Sequence, residues 1–116
     1  IFYKLDRTQW IRVITNLVQN ALQSVPKSKE PQIGVQLFSE NNQIILSIMD
    51  NGNGIAPEVK QKIFEPKFTT KSSGMGLGLG IVKNIIESHN GTIKCVSKIK
   101  KGTTFSIVLP DQLILI

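Results

Sequence analysis

Apolar residues recur at Ile11, Ile14, Val18, Ala21, Leu22 and Val25, a spacing of three to four that predicts an amphipathic helix. Asp6-Arg7-Thr8-Gln9 opens it as a capping box, with Asp6 at the N-cap and Gln9 three residues on. Pro26 ends it, because the residue before a proline avoids the α region. Ile1 to Leu5, ahead of the box, reads as a short strand. Off the apolar stripe lie Asn16 and Asn20, four apart and hence stacked on one helix face. Each carries a carbonyl oxygen able to reach a metal or a bound ligand, and for either alone an exposed helix asparagine is the plainer account.

The pattern then changes period. After the polar loop Lys27 to Gln32, Ile33, Val35 and Leu37 alternate with Gly34, Gln36 and Phe38 as a half-buried strand. Ser39 to Gln43 turns the chain into a second strand whose inward face is Ile44, Leu46 and Ile48, and the same parity puts Asp50 on that face at the strand's end. A carboxylate there needs a partner, so Asp50 either caps the Asn51-Gly52-Asn53-Gly54 turn or accepts a donor from a ligand. Pro57 suits the first turn of a short helix running to about Phe64, which Glu65-Pro66 stops before Lys67-Phe68 and a lid-like Thr69 to Ser73.

Gly74, Gly76, Gly78 and Gly80 follow, interleaved with Met75, Leu77 and Leu79. Leu79, Val82, Ile85, Ile86 and His89 then recur at helical spacing, and Asn90-Gly91 closes the run as an αL cap. Thr92 to Ser97 and Thr103 to Leu109 alternate as two strands around the turn Lys98 to Gly102. The order is strand, helix, strand pair, short helix, lid, helix, strand pair. It predicts a two-layer α+β fold, an antiparallel-rich sheet covered on one side by helices with a groove for a ligand at its edge.

With 116 residues, 41% hydrophobic and 19% charged, the chain suits one globular domain, 1–116, without repeats or low-complexity segments. It shows no apolar run of membrane-spanning length and no signal-peptide pattern. The single cysteine, Cys95, lies in a strand pattern, cannot form an internal disulfide and fits a reducing compartment. A formal charge of +6 raises the question of nucleic acid. The charge is scattered, however: Lys98, Lys100 and Lys101 flank a turn, Lys60 and Lys62 share a short helix, and the few aromatic residues sit mostly inside apolar patterns. A solvated surface, or a small polyanionic ligand, accounts for it without nucleic acid.

The glycine run before a helix presents free N–H groups and a helix dipole to an anion, which reads as a phosphate clamp. It is not a Walker A loop, because no glycine precedes Lys71-Ser72 within six positions. Nor is it a dinucleotide fingerprint, because Leu79, Ile81 and Lys83 stand where the third glycine would be.

Four segments in fixed order, Asn16 to Ala21, Asp50 to Ile55, Ile63 to Lys71 and Gly74 to Gly80, resemble the N, G1, F and G2 boxes of sensor histidine kinases. Gly102-Thr103-Thr104-Phe105 with Leu109-Pro110 is similar to the last glycine motif of the same catalytic domain, so the likeness covers nearly the whole chain. The wider superfamily is that of gyrase, Hsp90, histidine kinases and MutL, and the lid looks most like nitrogen-regulation-type kinases. The resemblance implies a Bergerat-type two-layer α/β sandwich with a mixed, mostly antiparallel sheet and helices on one face.

It implies further that the chain binds ATP with Mg²⁺ and donates the γ-phosphate to a histidine on a separate dimerisation domain, which this sequence does not contain. Such a domain belongs to a two-component sensor kinase, a homodimer working with a response regulator, and lies in the cytoplasm, in some cases below a membrane anchor. Asp50 would accept the adenine amino group, with Gly52, Gly54 and Ile55 shaping the turn beside the base. Asn20 would hold Mg²⁺, Asn16 would lie by the phosphates, and Gly74, Met75, Gly76, Leu77 and Gly78 would cradle them, while Thr104 would approach the adenine. Gln23 stands where many such kinases have lysine; Lys71 in the lid is either its substitute at the γ-phosphate or a solvent-exposed residue. Hydrolysing relatives have glutamate one turn before the metal asparagine, where this chain has Asn16. An amide orients but does not abstract a proton, so the pattern suits transfer to another acceptor. A non-transferring ATP-binding regulatory module is the alternative, and His89, at a helix end, takes no catalytic role.

Overall fold

The computed structural model describes residues 6–65 and 79–110. The expected strand Ile1 to Leu5, the lid with Lys71, the glycines Gly74 to Gly78 and the apolar tail Leu113 to Ile116 lie outside the described residues.

Helix α1 spans Arg7–Ser24 and starts as expected, with the Asp6 carboxylate accepting from the Gln9 N–H at 3.1 Å. Val25 leaves the helix at φ −87°, ψ 123°, the extended conformation that Pro26 imposes on its predecessor. The buried stripe corrects the expected one. Trp10, Val13, Leu17 and Ala21 face the core, whereas Ile11, Ile14 and Leu22 are 57%, 42% and 48% exposed. The helix carries two apolar stripes one residue out of phase, and the one that reaches α3 and the sheet is the stripe with Trp10. Asn16 and Asn20 sit half-buried on its flank.

Strands β1 (Ile33–Glu40) and β2 (Gln43–Asp50) form a hairpin around Asn41 and Asn42, whose φ of 52° and 61° give the type I′ turn that suits strand twist. After the four-residue helix α2 (Pro57–Lys60), shorter than expected, turns carry the chain to Ile63, which is buried. Helix α3 (Leu79–Ser88) buries the face read from the sequence, Leu79, Val82, Ile85 and Ile86. It ends in a Schellman motif, in which Asn90 takes φ 62°, its N–H bonds to Glu87 O, and the Gly91 N–H bonds to Ile86 O at 2.9 Å. Strands β3 (Thr92–Lys98) and β4 (Gly102–Pro110) make the second hairpin.

The sheet order is β1-β2-β4-β3, and all three pairings are antiparallel. The parallel component of the expected mixed sheet does not occur among the described residues. Cross-strand rows on the helix side read Leu46, Ile107, Ile93, then Ile48, Phe105, Cys95, then Asp50, Thr103, Ser97. These two apolar rows, with the Ile44–Leu109 pair beyond them, pack under α1 and α3, and the polar row ends the sheet at the margin of the core. Strand β1 departs from expectation: Val35 and Leu37 are on the helix side yet 59% and 70% exposed, because β1 is at the edge of the sheet formed by the described residues and α1 lies over β2. Among the described residues no helix is long and apolar enough to cross a membrane.

Candidate functional site

The turn after β2 is sewn into the molecule on three sides. The Gly52 N–H donates to Asp50 Oδ1 at 2.8 Å, an Asx turn that orients the carboxylate. The Asn53 N–H donates to the Ser24 carbonyl at the end of α1, and the Asn53 carbonyl accepts from the Lys100 N–H at 2.7 Å in the β3–β4 turn. On the outer side the Asn51 amide bonds to Gln32 N and Glu30 O, tying down the loop before β1.

Two glycines in the turn are required by this packing. A Cβ at Gly52 would overlap the side chain and main chain of Ser24, so only glycine lets β2 run this close to the end of α1. Gly54 has φ +75°, and a Cβ there would meet the Lys98 carbonyl of the hairpin.

Between this turn, α1 and α2 lies a cavity of about 330 Å³. Its lining combines the apolar residues Ile55, Ala56, Val59 and Phe105 with the polar residues Asn20, Gln23, Ser24, Asp50, Asn53 and Thr103. Apolar surface beside a few placed polar groups is the usual make-up of a small-molecule site. Asp50 contributes an oriented acceptor, and the Asn20 amide faces the same space one α1 turn from Ser24.

Of the residues singled out from the sequence, Asn20, Asp50, Gly54 and Ile55 line the cavity, and Gly52 is buried behind it. Asn16 lies one turn toward the start of α1 and is not on the wall. Thr104 requires a correction. It pairs with Met49 and Val96 on the sheet face away from the helices, while its neighbour Thr103, opposite Asp50, lines the cavity. Gln23, Ser24, Asn53, Ala56, Val59, Thr103 and Phe105 are wall residues that went unassigned. Gln23 and Ser24 could have been found from their helical spacing to Asn20, whereas Thr103 and Phe105 needed the β2–β4 register.

The donor set bears on Mg²⁺. No group of three His, Cys, Asp or Glu able to hold a metal occurs among the described residues. A single amide oxygen from Asn20 nevertheless fits this cation, which takes hard oxygen ligands, keeps several waters and commonly arrives on phosphate oxygens. Next to Phe105 across the β3–β4 pair, burial pushes the Cys95 thiol from 9.0 to about 11, with Lys60 opposing and Asp50 adding to the shift. Such a thiol is inert at neutral pH.

Comparison with known proteins gives the chain's family. Residues 5–113 match the family described as histidine kinase-, DNA gyrase B-, and HSP90-like ATPase. The chain is 42% identical over 106 residues to the sensor histidine kinase ZraS of Salmonella typhimurium, covering 90% of this chain and 22% of ZraS. It is 38% identical over 108 residues to sporulation kinase B of Bacillus subtilis, covering 93% of this chain and 25% of that protein. The chain thus spans about a quarter or less of these relatives' length. Among solved structures it resembles the catalytic domain of histidine kinase ThkA, with a TM-score of 0.80 and 36% identity over 92% of this chain and 69% of that one. The mycobacterial sensor histidine kinase MprB matches at a TM-score of 0.76 and 31% identity, over 90% of this chain and 72% of that one.

Proposed function

The chain belongs to the histidine kinase-, DNA gyrase B- and HSP90-like ATPase family, and from that premise we propose that it is the ATP-binding catalytic domain of a two-component sensor kinase. It takes Mg-ATP into the cavity and donates the γ-phosphate to a histidine of a helical dimerisation domain elsewhere in the full protein, which then serves a response regulator. The observation that carries this reading is Asp50. Its carboxylate is aimed by the Gly52 N–H at the rim of an apolar slot, where it accepts the amino group of an adenine lying against Ile55, Val59 and Phe105.

From the base end, the cavity runs along the last turns of α1. Asn20 would hold the magnesium ion, which when bound neutralises charge on the phosphate oxygens. Asn16, one turn further, would lie by the terminal phosphate as an orienting amide. Lys71 and Gly74 to Gly78 remain proposed phosphate contacts on the sequence pattern. Water is a poor acceptor here, because neither asparagine takes a proton from it.

The test is thermal unfolding with and without millimolar Mg-ATP. A ligand at a hundred times its Kd stabilises by about 2.7 kcal/mol, which raises Tm by several degrees in a domain of this size. An unchanged Tm would overturn the reading.

A further inference from the structure

Three connections meet at one end of the sheet. The pairs Ile33–Asp50, Asp50–Thr103 and Lys98–Gly102 bring together there the loop before β1, the turn after β2 and the β3–β4 turn. The middle one fastens the other two: the Asn51 amide donates to the Glu30 carbonyl and accepts from the Gln32 N–H, and the Asn53 carbonyl accepts from the Lys100 N–H.

Lysines that are scattered along the chain are thereby gathered. Lys27 and Lys29 lie in the loop before β1, Lys98, Lys100 and Lys101 in and beside the β3–β4 turn, and all five are exposed. The same connections carry one exposed acid, Glu30, since Asp50 faces the cavity; α2 beyond them adds Glu58 and Lys60, which offset each other. Among these lysines stand two bare aliphatic side chains. Ile99, in the turn itself, is 54% exposed, and Val96, between Lys94 and Lys98 on the sheet face away from the helices, is 70% exposed. The turn does not need an isoleucine. Its backbone is set by Lys100 at φ 68° and Gly102 at φ 134°, and it is closed by the Lys101 N–H on the Lys98 carbonyl at 3.0 Å.

We propose that this end of the sheet docks on an anionic phospholipid bilayer, with the five lysines in the headgroup layer and Ile99 inserted below them. Ammonium groups around an aliphatic tip match both layers of such a surface, the charged headgroups and the first methylenes. A nucleic acid supplies the phosphates but no apolar layer, and its bases stack on aromatic rings, which these three connections lack. The docking does not depend on the nucleotide reading. Asn53 nevertheless belongs to both the fastening turn and the cavity lining, so a docked chain holds its cavity in a set orientation to the membrane.

Cosedimentation with phosphatidylcholine vesicles, with and without one-third phosphatidylserine, tests this. The chain should pellet with the anionic vesicles alone, and added salt should release it. Each lysine at the surface contributes about fivefold to partitioning, so Lys100→Ala with Lys101→Ala should lower it about thirtyfold. Arg7→Ala with Arg12→Ala removes the same charge near the start of α1, where even Arg12 is about 18 Å along the helix from Ser24, and should leave partitioning unchanged. Ile99→Ser keeps every charge and should weaken binding about tenfold with the same salt dependence. These side chains are exposed, so each variant should keep the parent's Tm. A parent that does not pellet with anionic vesicles overturns the proposal, and equal losses in the two paired variants do so by reducing the effect to net charge. Unmoved binding in Ile99→Ser overturns it too, as does duplex DNA or polyglutamate holding the chain as tightly as the vesicles at the same salt, because the surface would then serve any polyanion.

Discussion

The imidazole of His89 stands edge-on against the indole of Trp10, with ring centroids 5.4 Å apart and planes at 74°. Its Nδ1–H donates to the Ile85 carbonyl at 2.8 Å, and Nε2 accepts from the Asp6 N–H at 3.3 Å. One side chain thus joins the end of α3 to the start of α1. It does so at the end of α1 opposite Asn20 and Ser24, which line the cavity. His89→Ala should therefore destabilise the fold by about 1–2 kcal/mol, through a lost aromatic pair and hydrogen bonds, and leave nucleotide Kd unchanged. Urea unfolding alongside calorimetry checks this; a large loss of nucleotide affinity would show that His89 belongs to the site.

Asp50→Asn replaces a charged acceptor with an amide that also presents donors. Hydrogen bonds to charged groups contribute about 1.5–3 kcal/mol, so ADP affinity should fall roughly ten- to a hundredfold. The fold should survive, because the amide oxygen can still accept from Gly52 N–H. If the variant binds ADP as tightly as the parent, the base does not lie against Asp50.

Cys95 gives a pH signature. Its thiol ionises near 9.0 in the unfolded chain and near 11 when buried, so the unfolded state gives up its proton first as pH rises. The raised folded value means that this contribution is complete below pH 9.0 and is lost on the way up to about pH 11. The ceiling is about 2–3 kcal/mol for a shift of this size. Cys95→Ala removes the titration while opening a small void. Urea unfolding at pH 8 and pH 10.5 should therefore show the parent losing more stability than the variant between the two conditions. Equal losses would mean that the thiol ionises freely in the fold.

Local signals were legible in the sequence. The Asp6 cap, the Asn90 αL terminus and the buried face of α3 each depend on residues within one or two turns of each other, and each appears as read. Asp50 was also placed correctly, because its parity with Ile44, Leu46 and Ile48 is a property of one strand. What the sequence hid depends on partners distant along the chain. The stripes Trp10/Val13/Leu17/Ala21 and Ile11/Ile14/Val18/Leu22 are both apolar, and only the positions of α3 and β2 choose between them. In the same way, Val35 and Leu37 alternate like core residues, but no element among the described residues covers the edge they occupy. Thr103 and Thr104 are chemically identical, and only the pairing of Asp50 with Thr103 decides which hydroxyl reaches the cavity.

The transfer reading leads to the sharpest test, which turns on Asn16. A general base contributes typically 10² to 10⁴-fold to proton abstraction, and an amide one α1 turn from Asn20 supplies none. The chain alone should hydrolyse ATP only at a trace rate. It should not label itself from γ-labelled ATP either, because His89 is held in the α1–α3 contact. A neutral imidazole needs no base to become a nucleophile, so positioning one in line with the γ-phosphate suffices. A helical dimerisation domain carrying a phosphoacceptor histidine, supplied from a related sensor kinase, should therefore become labelled when mixed with the chain and Mg-ATP. Asn16→Glu places a carboxylate where the hydrolysing relatives carry one, and should raise hydrolysis at the expense of transfer. Label on the isolated chain would contradict the assignment of His89. ATP bound without label on any supplied acceptor would leave a non-transferring nucleotide-binding module as the reading.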